Sequence, residues 1–164
     1  MTIIISPYSS KLRSGNPNPK NYLHFPKLVS LLTLDGYEVI QIGVAGEDRI
    51  EGVTDCYLNL SYVDLRALVN GCATWIAVDN FFAHFCHCEK LKPGIVLWGP
   101  SDPKIWGYPE NINLLRGRDY LRQHQCQTWE EIDYNPLAFC YAENVVESVY
   151  KLAPLPLTRR LALV

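Results

Sequence analysis

Four short stretches of this 164-residue sequence carry side chains that could handle a phosphorylated or hydroxyl-rich ligand. In the first, PYSSKLRSGNPNPKNY, the hydroxyls of Ser9 and Ser10 stand beside Lys11 and Arg13, and no acidic residue precedes Asp35. Hydroxyl donors next to positive charge suit a phosphate. The spacing is not the G-x-x-x-x-G-K-[ST] of a P-loop, and a solvated loop could have the same composition. In the second, Glu47 follows Gly43-Val44-Ala45-Gly46. A carboxylate there can accept from a ribose hydroxyl or a base amino group, or it can simply close a turn. The third, Asp79-Asn80-Phe81-Phe82-Ala83-His84, offers a carboxylate, an amide and, one turn further, an imidazole. Either Asp79 or Asn80 can cap a following helix. The fourth runs from Trp98 to Pro103 and on to Trp106-Gly107-Tyr108-Pro109, and its Gly and Pro predict a tight, preformed turn.

His84, Cys86, His87 and Cys88 have the residue types of a zinc site. On one helix, however, position 86 points away from 84 and 88, so no three of them converge, and no metal is expected. The six cysteines include no C-x-x-C pair and read as free thiols.

These stretches need elements to hold them. TIIIS (Thr2–Ser6) is a continuous β-branched run that suits a strand buried on both faces. A helix is predicted over Phe25–Leu34, with Pro26 in its first turn and Gly36 after it. Strands follow at Tyr37–Ile42 and Cys56–Leu60, then a helix capped by Ser61 and ended by Gly71. TWIAV (Thr74–Val78) and GIVLW (Gly94–Trp98) bracket a helix from Phe81 to about Lys90. A short strand at Ile112–Leu115 and a helix at Asn144–Leu152 complete the pattern. Such alternation predicts an α/β fold: a Rossmann-like parallel sheet with helices on both faces. In these sheets ligands lie outside the carboxyl ends of the strands, where all four stretches fall.

Composition sets the outer limits. With 48% hydrophobic and 20% charged residues, the chain can build one core but is short for two domains. We expect a single domain over 1–153 and a tail over 154–164, extended, loosely docked or covered by a partner. A net charge of −2 argues against a polyanion-binding protein. The basic first loop is only a local patch, so a nucleic-acid partner is not expected. No apolar run reaches the ~18 residues of a membrane span. MTIIISPYSS lacks the basic start of a signal peptide, so a cytoplasmic chain is expected.

Read together, residues 78–115, VDNFFAHFCHCEKLKPGIVLWGPSDPKIWGYPENINLL, resemble glycosyltransferase family 9, the ADP-heptose:lipopolysaccharide heptosyltransferase-like enzymes. The likeness lies in an Asp followed five residues later by a His, then a G-K-P-like turn and strand, then a G-P-T-D-P-like loop. Gly43–Glu47, Ser9-Ser10-Lys11, Cys126, Cys140 and the helix ENVVESVYKL resemble further segments of the family in the same order. The resemblance implies the C-terminal, donor-binding half of a GT-B glycosyltransferase. It implies that Ser9, Ser10 and Lys11 meet a diphosphate, with Arg13 and Lys20 as alternatives to the lysine. It also implies that Glu47 meets the nucleoside, and that Asp79, Asn80, Phe81 and His84 line the sugar-diphosphate end. No Asp-x-Asp occurs, in keeping with metal-independent transfer. The sequence departs from the family in its longer, Asn- and Pro-rich first loop and in Asn80, where Ser or Thr is common.

The family's acceptor-binding half has no counterpart in this sequence. Two functions are therefore expected in the alternative. One is sugar transfer from a nucleotide-sugar, with the acceptor half supplied by a second copy or a separate protein. The other is a non-catalytic module that binds a nucleotide-sugar. Asp79 and Asp102 are the carboxylates near the proposed site without an evident ion-pair partner in sequence, and neither is assigned as a base.

Overall fold

A computed structural model describes residues 1–126 and 132–155. Its elements run β1 (Thr2–Ser6), α1 (Phe25–Leu34), β2 (Glu38–Gly43), β3 (Asp55–Leu58), α2 (Tyr62–Gly71), β4 (Thr74–Val78), α3 (Phe81–Cys88), β5 (Ile95–Trp98), the single turn α4 (Pro103–Trp106), β6 (Ile112–Leu115) and α5 (Ala142–Leu152). The six strands form one parallel sheet in the order β3-β2-β1-β4-β5-β6. This is the Rossmann-like α/β architecture expected from the alternation of strand and helix.

The β1 run of three isoleucines serves both faces. Ile3 and Ile5 join Val39, Ile76, Val78, Ile95 and Leu97 under α1 and α5. Ile4 joins Trp75, Ala77, Val96 and Trp98 under α2 and α3. All three isoleucines are fully buried, and each such side chain contributes about 1.5–3 kcal/mol. Trp75 is the largest of the fully buried side chains; its indole N–H donates to Lys92 O at 2.9 Å. A Cβ at Gly94 would lie 2.1 Å from that indole, so only glycine lets the chain turn into β5 there.

Several boundaries shift from those expected. The strand predicted at Tyr37–Ile42 is Glu38–Gly43, because the Tyr37 N–H is taken by Leu32 O at 3.0 Å in the turn that ends α1. The strand predicted at Cys56–Leu60 ends at Leu58, where Asn59 takes a positive φ of 56°. Helix α3 stops at Cys88, and Lys90 at φ 54° reverses the chain. Helix α5 begins two residues early, at Ala142. The turn α4 was not expected, although Asp102 caps it through its Oδ1 and Pro103 opens it. Ala153 and Leu155 are buried in the core, so the tail begins as a docked segment; residues 156–164 lie outside the described residues. No helix among the described residues is long and apolar enough to cross a membrane.

The strand order reverses at β1, which leads to β2 and β3 on one side and to β4, β5 and β6 on the other. The carboxyl ends of β1 and β4 therefore diverge into loops that leave a crevice between them.

Candidate functional site

A cavity of about 360 Å³ opens at that crevice. Ser6 at the end of β1 with Tyr8, Ser9 and Ser10 after it, Gly43 at the end of β2 with Val44 and Glu47 after it, Tyr57 from β3 and Asn59 just past it, and Asn80 and Phe81 after β4 line it.

The wall after β2 is built around Glu47. Its Oε2 accepts from the Val44 N–H at 3.1 Å, and its own N–H donates to Val44 O at 3.2 Å. A Cβ at Gly43 would lie 2.0 Å from that Oε2, so the turn accommodates the carboxylate only because residue 43 has no side chain. Burial pushes the Glu47 carboxyl above its ordinary value, and the Val44 N–H partly opposes this. Asn59 ties the β2 and β3 loops together: its N–H donates to Gly43 O at 2.9 Å, and its Oδ1 accepts from the Ala45 N–H at 3.1 Å. Asparagine tolerates the left-handed backbone there. An Asn directly after a strand was the available sequence signal, and it was missed.

The facing wall hangs on Asn80, which settles the capping question left open by the sequence. Its Oδ1 accepts from the Phe82 N–H at 3.0 Å, capping α3. Its Nδ2 donates to Ser6 Oγ and to Tyr8 O, each at 2.9 Å. Ser9 follows the same line: its N–H donates to Asn21 Oδ1 at 2.8 Å and its hydroxyl to Asp79 O at 3.2 Å. The first loop and the start of α3 are thus one hydrogen-bonded unit. Phe81, 58% exposed, stands at the rim with Tyr62, and these two rings and that of the buried Phe85 lie within 6.0 Å of one another centre to centre. Burial is also the main reason the Tyr8 hydroxyl is raised above its ordinary value.

The structure does not bring every expected residue to this cavity. Lys11 and Arg13 are exposed on the first loop and do not line it. Asp79 is buried and ion-paired with Lys20, Nζ to Oδ2 2.8 Å. His84 turns to the loop after β5, its Nδ1 2.7 Å from the Tyr108 hydroxyl. His87 stacks on the same tyrosine with ring centres 3.6 Å apart and meets Glu110 at 2.5 Å. Among the described residues, no three His, Cys, Asp or Glu side chains are grouped so that they could hold a metal ion.

Asp79 and Asp102 both have partners, contrary to the expectation from local sequence. Arg118 reaches Asp102 with both branches of its guanidinium, Nη1 to Oδ1 at 3.1 Å and Nη2 to Oδ2 at 2.5 Å. That hydrogen bonding holds the Asp102 carboxyl below its ordinary value. Arg122, also unforeseen, donates its backbone N–H to Pro100 O at 3.0 Å, and burial pushes its guanidinium down against the opposing charge of Asp79. Both arginines come from the segment after β6, and folding alone carries them to these strand ends.

No family model and no curated protein matches the chain by sequence. Solved structures do match by fold. Escherichia coli heptosyltransferase WaaC with ADP aligns with a TM-score of 0.63 at 15% identity, covering 93% of this chain and 44% of that one. The family 9 glycosyltransferase of Veillonella parvula aligns with a TM-score of 0.65 at 16% identity, covering 93% and 46%. The dodecameric iron-containing heptosyltransferase TibC, in complex with ADP-D-beta-D-heptose, aligns with a TM-score of 0.64 at 14% identity, covering 92% and 46%. The chain spans less than half the length of each of these structures. Its fold is that of the Rossmann-like, C-terminal-type domain of a GT-B heptosyltransferase.

Proposed function

We propose that this domain binds a nucleotide-diphosphate-sugar donor for metal-independent sugar transfer, with the acceptor half supplied by another chain or a second copy. The observation that carries this reading is the crevice at the β1/β4 switch point, in a fold shared with heptosyltransferases. Glu47 on the β2 side is an acceptor for nucleoside hydroxyls. Ser9 and Ser10, with the amide groups at the start of α3, face the position of a diphosphate. Charge on a departing diphosphate would be met by Lys20 and by the N-terminus of α3 rather than by a metal. Lys20 is favoured over Lys11 and Arg13 because its ammonium is held at the strand ends by Asp79.

The pairing of Asp79 and Asp102 favours a division of labour. Inverting transfer needs a free base on the acceptor hydroxyl, and both carboxylates here are held by cations. The base then belongs to the acceptor half. Taken alone, the domain would act as a nucleotide-sugar-binding module. The test is a titration of nucleosides, nucleoside diphosphates and nucleotide-sugars, followed by an assay for nucleotide release. We expect saturable binding of the diphosphate-containing ligands without turnover by the pure chain. Absence of binding by all of them would refute the proposal.

A further inference from the structure

One buried carboxylate at the ends of β1 and β4 is paired with a lysine and lies near an arginine. Asp79 is 5% exposed. Lys20 Nζ lies 2.8 Å from its Oδ2, yet no hydrogen bond is aligned on that oxygen. The pair is held by charge more than by direction, and a lysine ammonium sits on a flexible stem that can swing. Arg122 is fixed differently. Its backbone binds Pro100 O and its Nη2 donates to Gln125 O at 2.6 Å. Two other nitrogens of the guanidinium, Nε and Nη1, are buried and have no hydrogen-bond partner. Asp79 lies close enough for its charge to act on that guanidinium. Beside Arg122, between Pro19 and Pro100, is a cavity of about 380 Å³.

An anion arriving at Lys20 must compete with Asp79 for the ammonium. If it succeeds and nothing replaces Lys20, the Asp79 carboxylate is left buried without a counter-charge, which opposes binding. Each of these unpartnered N–H groups of Arg122 is a donor to which a carboxylate oxygen can turn, in a charge-assisted hydrogen bond. We propose that Arg122 is a positioning residue for a phosphorylated ligand, taking over Asp79 as the ligand's diphosphate draws Lys20 away. No covalent bond changes and no proton moves: Lys20, Arg122 and Asp79 all stay charged, and the phosphoryl group gains a lysine. The inference rests on the proposed binding of a nucleotide diphosphate and assigns the residue that releases its cation.

The test is calorimetric titration of inorganic pyrophosphate, ADP and UDP, with adenosine and uridine in parallel. Wild type is compared with Arg122→Gln, Asp79→Asn and the double variant. Arg122→Gln should weaken pyrophosphate and nucleoside diphosphate binding about tenfold and leave nucleoside binding unchanged. Asp79→Asn in the same background should restore pyrophosphate affinity, because Lys20 then has no buried charge to abandon. A merely structural arginine gives no such rescue. Should Arg122→Gln fail to fold, Asp79→Asn alone should bind pyrophosphate at least as tightly as wild type; weaker binding overturns the inference. Wild-type binding with an unaffected Arg122→Gln, or without rescue, overturns the exchange and leaves the proposed function standing. If wild type binds none of the five ligands, the exchange falls; if it binds no nucleotide-sugar either, the proposed function falls with it.

Discussion

Asn80 and Ser6 are joined across the switch point: Asn80 Nδ2 donates to Ser6 Oγ at 2.9 Å while its Oδ1 caps α3. One side chain thus fixes both the end of β1 and the start of the helix after β4, the two edges of the crevice. Asn80→Ala removes a helix cap and the tether to Ser6 and Tyr8, and should cost about 2–3 kcal/mol in urea denaturation. Asn80→Asp keeps the cap but cannot donate, and should lose roughly half of that. Equal losses for both variants would show that the tether contributes nothing.

Gly43 and Glu47 form a second coupled pair. A methyl group at residue 43 meets Glu47 Oε2 at 2.0 Å, so Gly43→Ala must displace the carboxylate. Gly43→Ala and Glu47→Ala should each weaken nucleoside diphosphate binding, and the double variant should be little worse than the more damaging single one. Fully additive losses would contradict the shared mechanism.

The Glu47 carboxyl is raised in the folded protein, chiefly by burial. A raised carboxyl favours folding in its protonated form, so this group adds stability as pH falls through its folded value and reaches its full effect below the ordinary value of 4.5. Glu47→Gln should therefore be stabilising relative to wild type at neutral pH, with the advantage shrinking as the pH is lowered. Thermal midpoints of the two proteins from pH 7 to pH 4 provide the comparison. A gap that stays constant, or widens on acidification, would count against the burial of this group.

Asp102 has the opposite sign. Hydrogen bonding from Arg118 lowers its carboxyl below 3.8, so the pair contributes stability that is present above that value and lost as pH falls through the folded one. Arg118→Leu should lower the thermal midpoint at neutral pH and make the protein less sensitive to acid below about pH 4. Unchanged acid sensitivity would show that the pair does not couple to folding.

The parts of this fold legible in the sequence were those governed by local pattern. TIIIS and TWIAV announced buried strands, Ser61 and Gly71 bounded α2, and the polar stretches after β1, β2 and β4 fell at the strand ends where the cavity lies. What stayed hidden depends on distant partners. Nothing near Asp79 or Asp102 in sequence identifies Lys20 or Arg118, because loop closure makes those pairs. His84 was placed correctly on its helix, but the fold, not its spacing, turns it to Tyr108. Gly43 read as a turn residue, while its closer constraint, the Glu47 carboxylate against its Cα, exists only in three dimensions.

The central claim is that the crevice at the switch point holds a nucleotide-sugar. Isothermal titration of the wild-type chain with ADP- and UDP-linked sugars, repeated with Glu47→Ala, tests it most directly. One site per chain, with affinity for at least one nucleotide-sugar reduced about tenfold or more in Glu47→Ala, is the predicted result. No heat of binding from any nucleotide-sugar, or binding unaffected by Glu47→Ala, would contradict it.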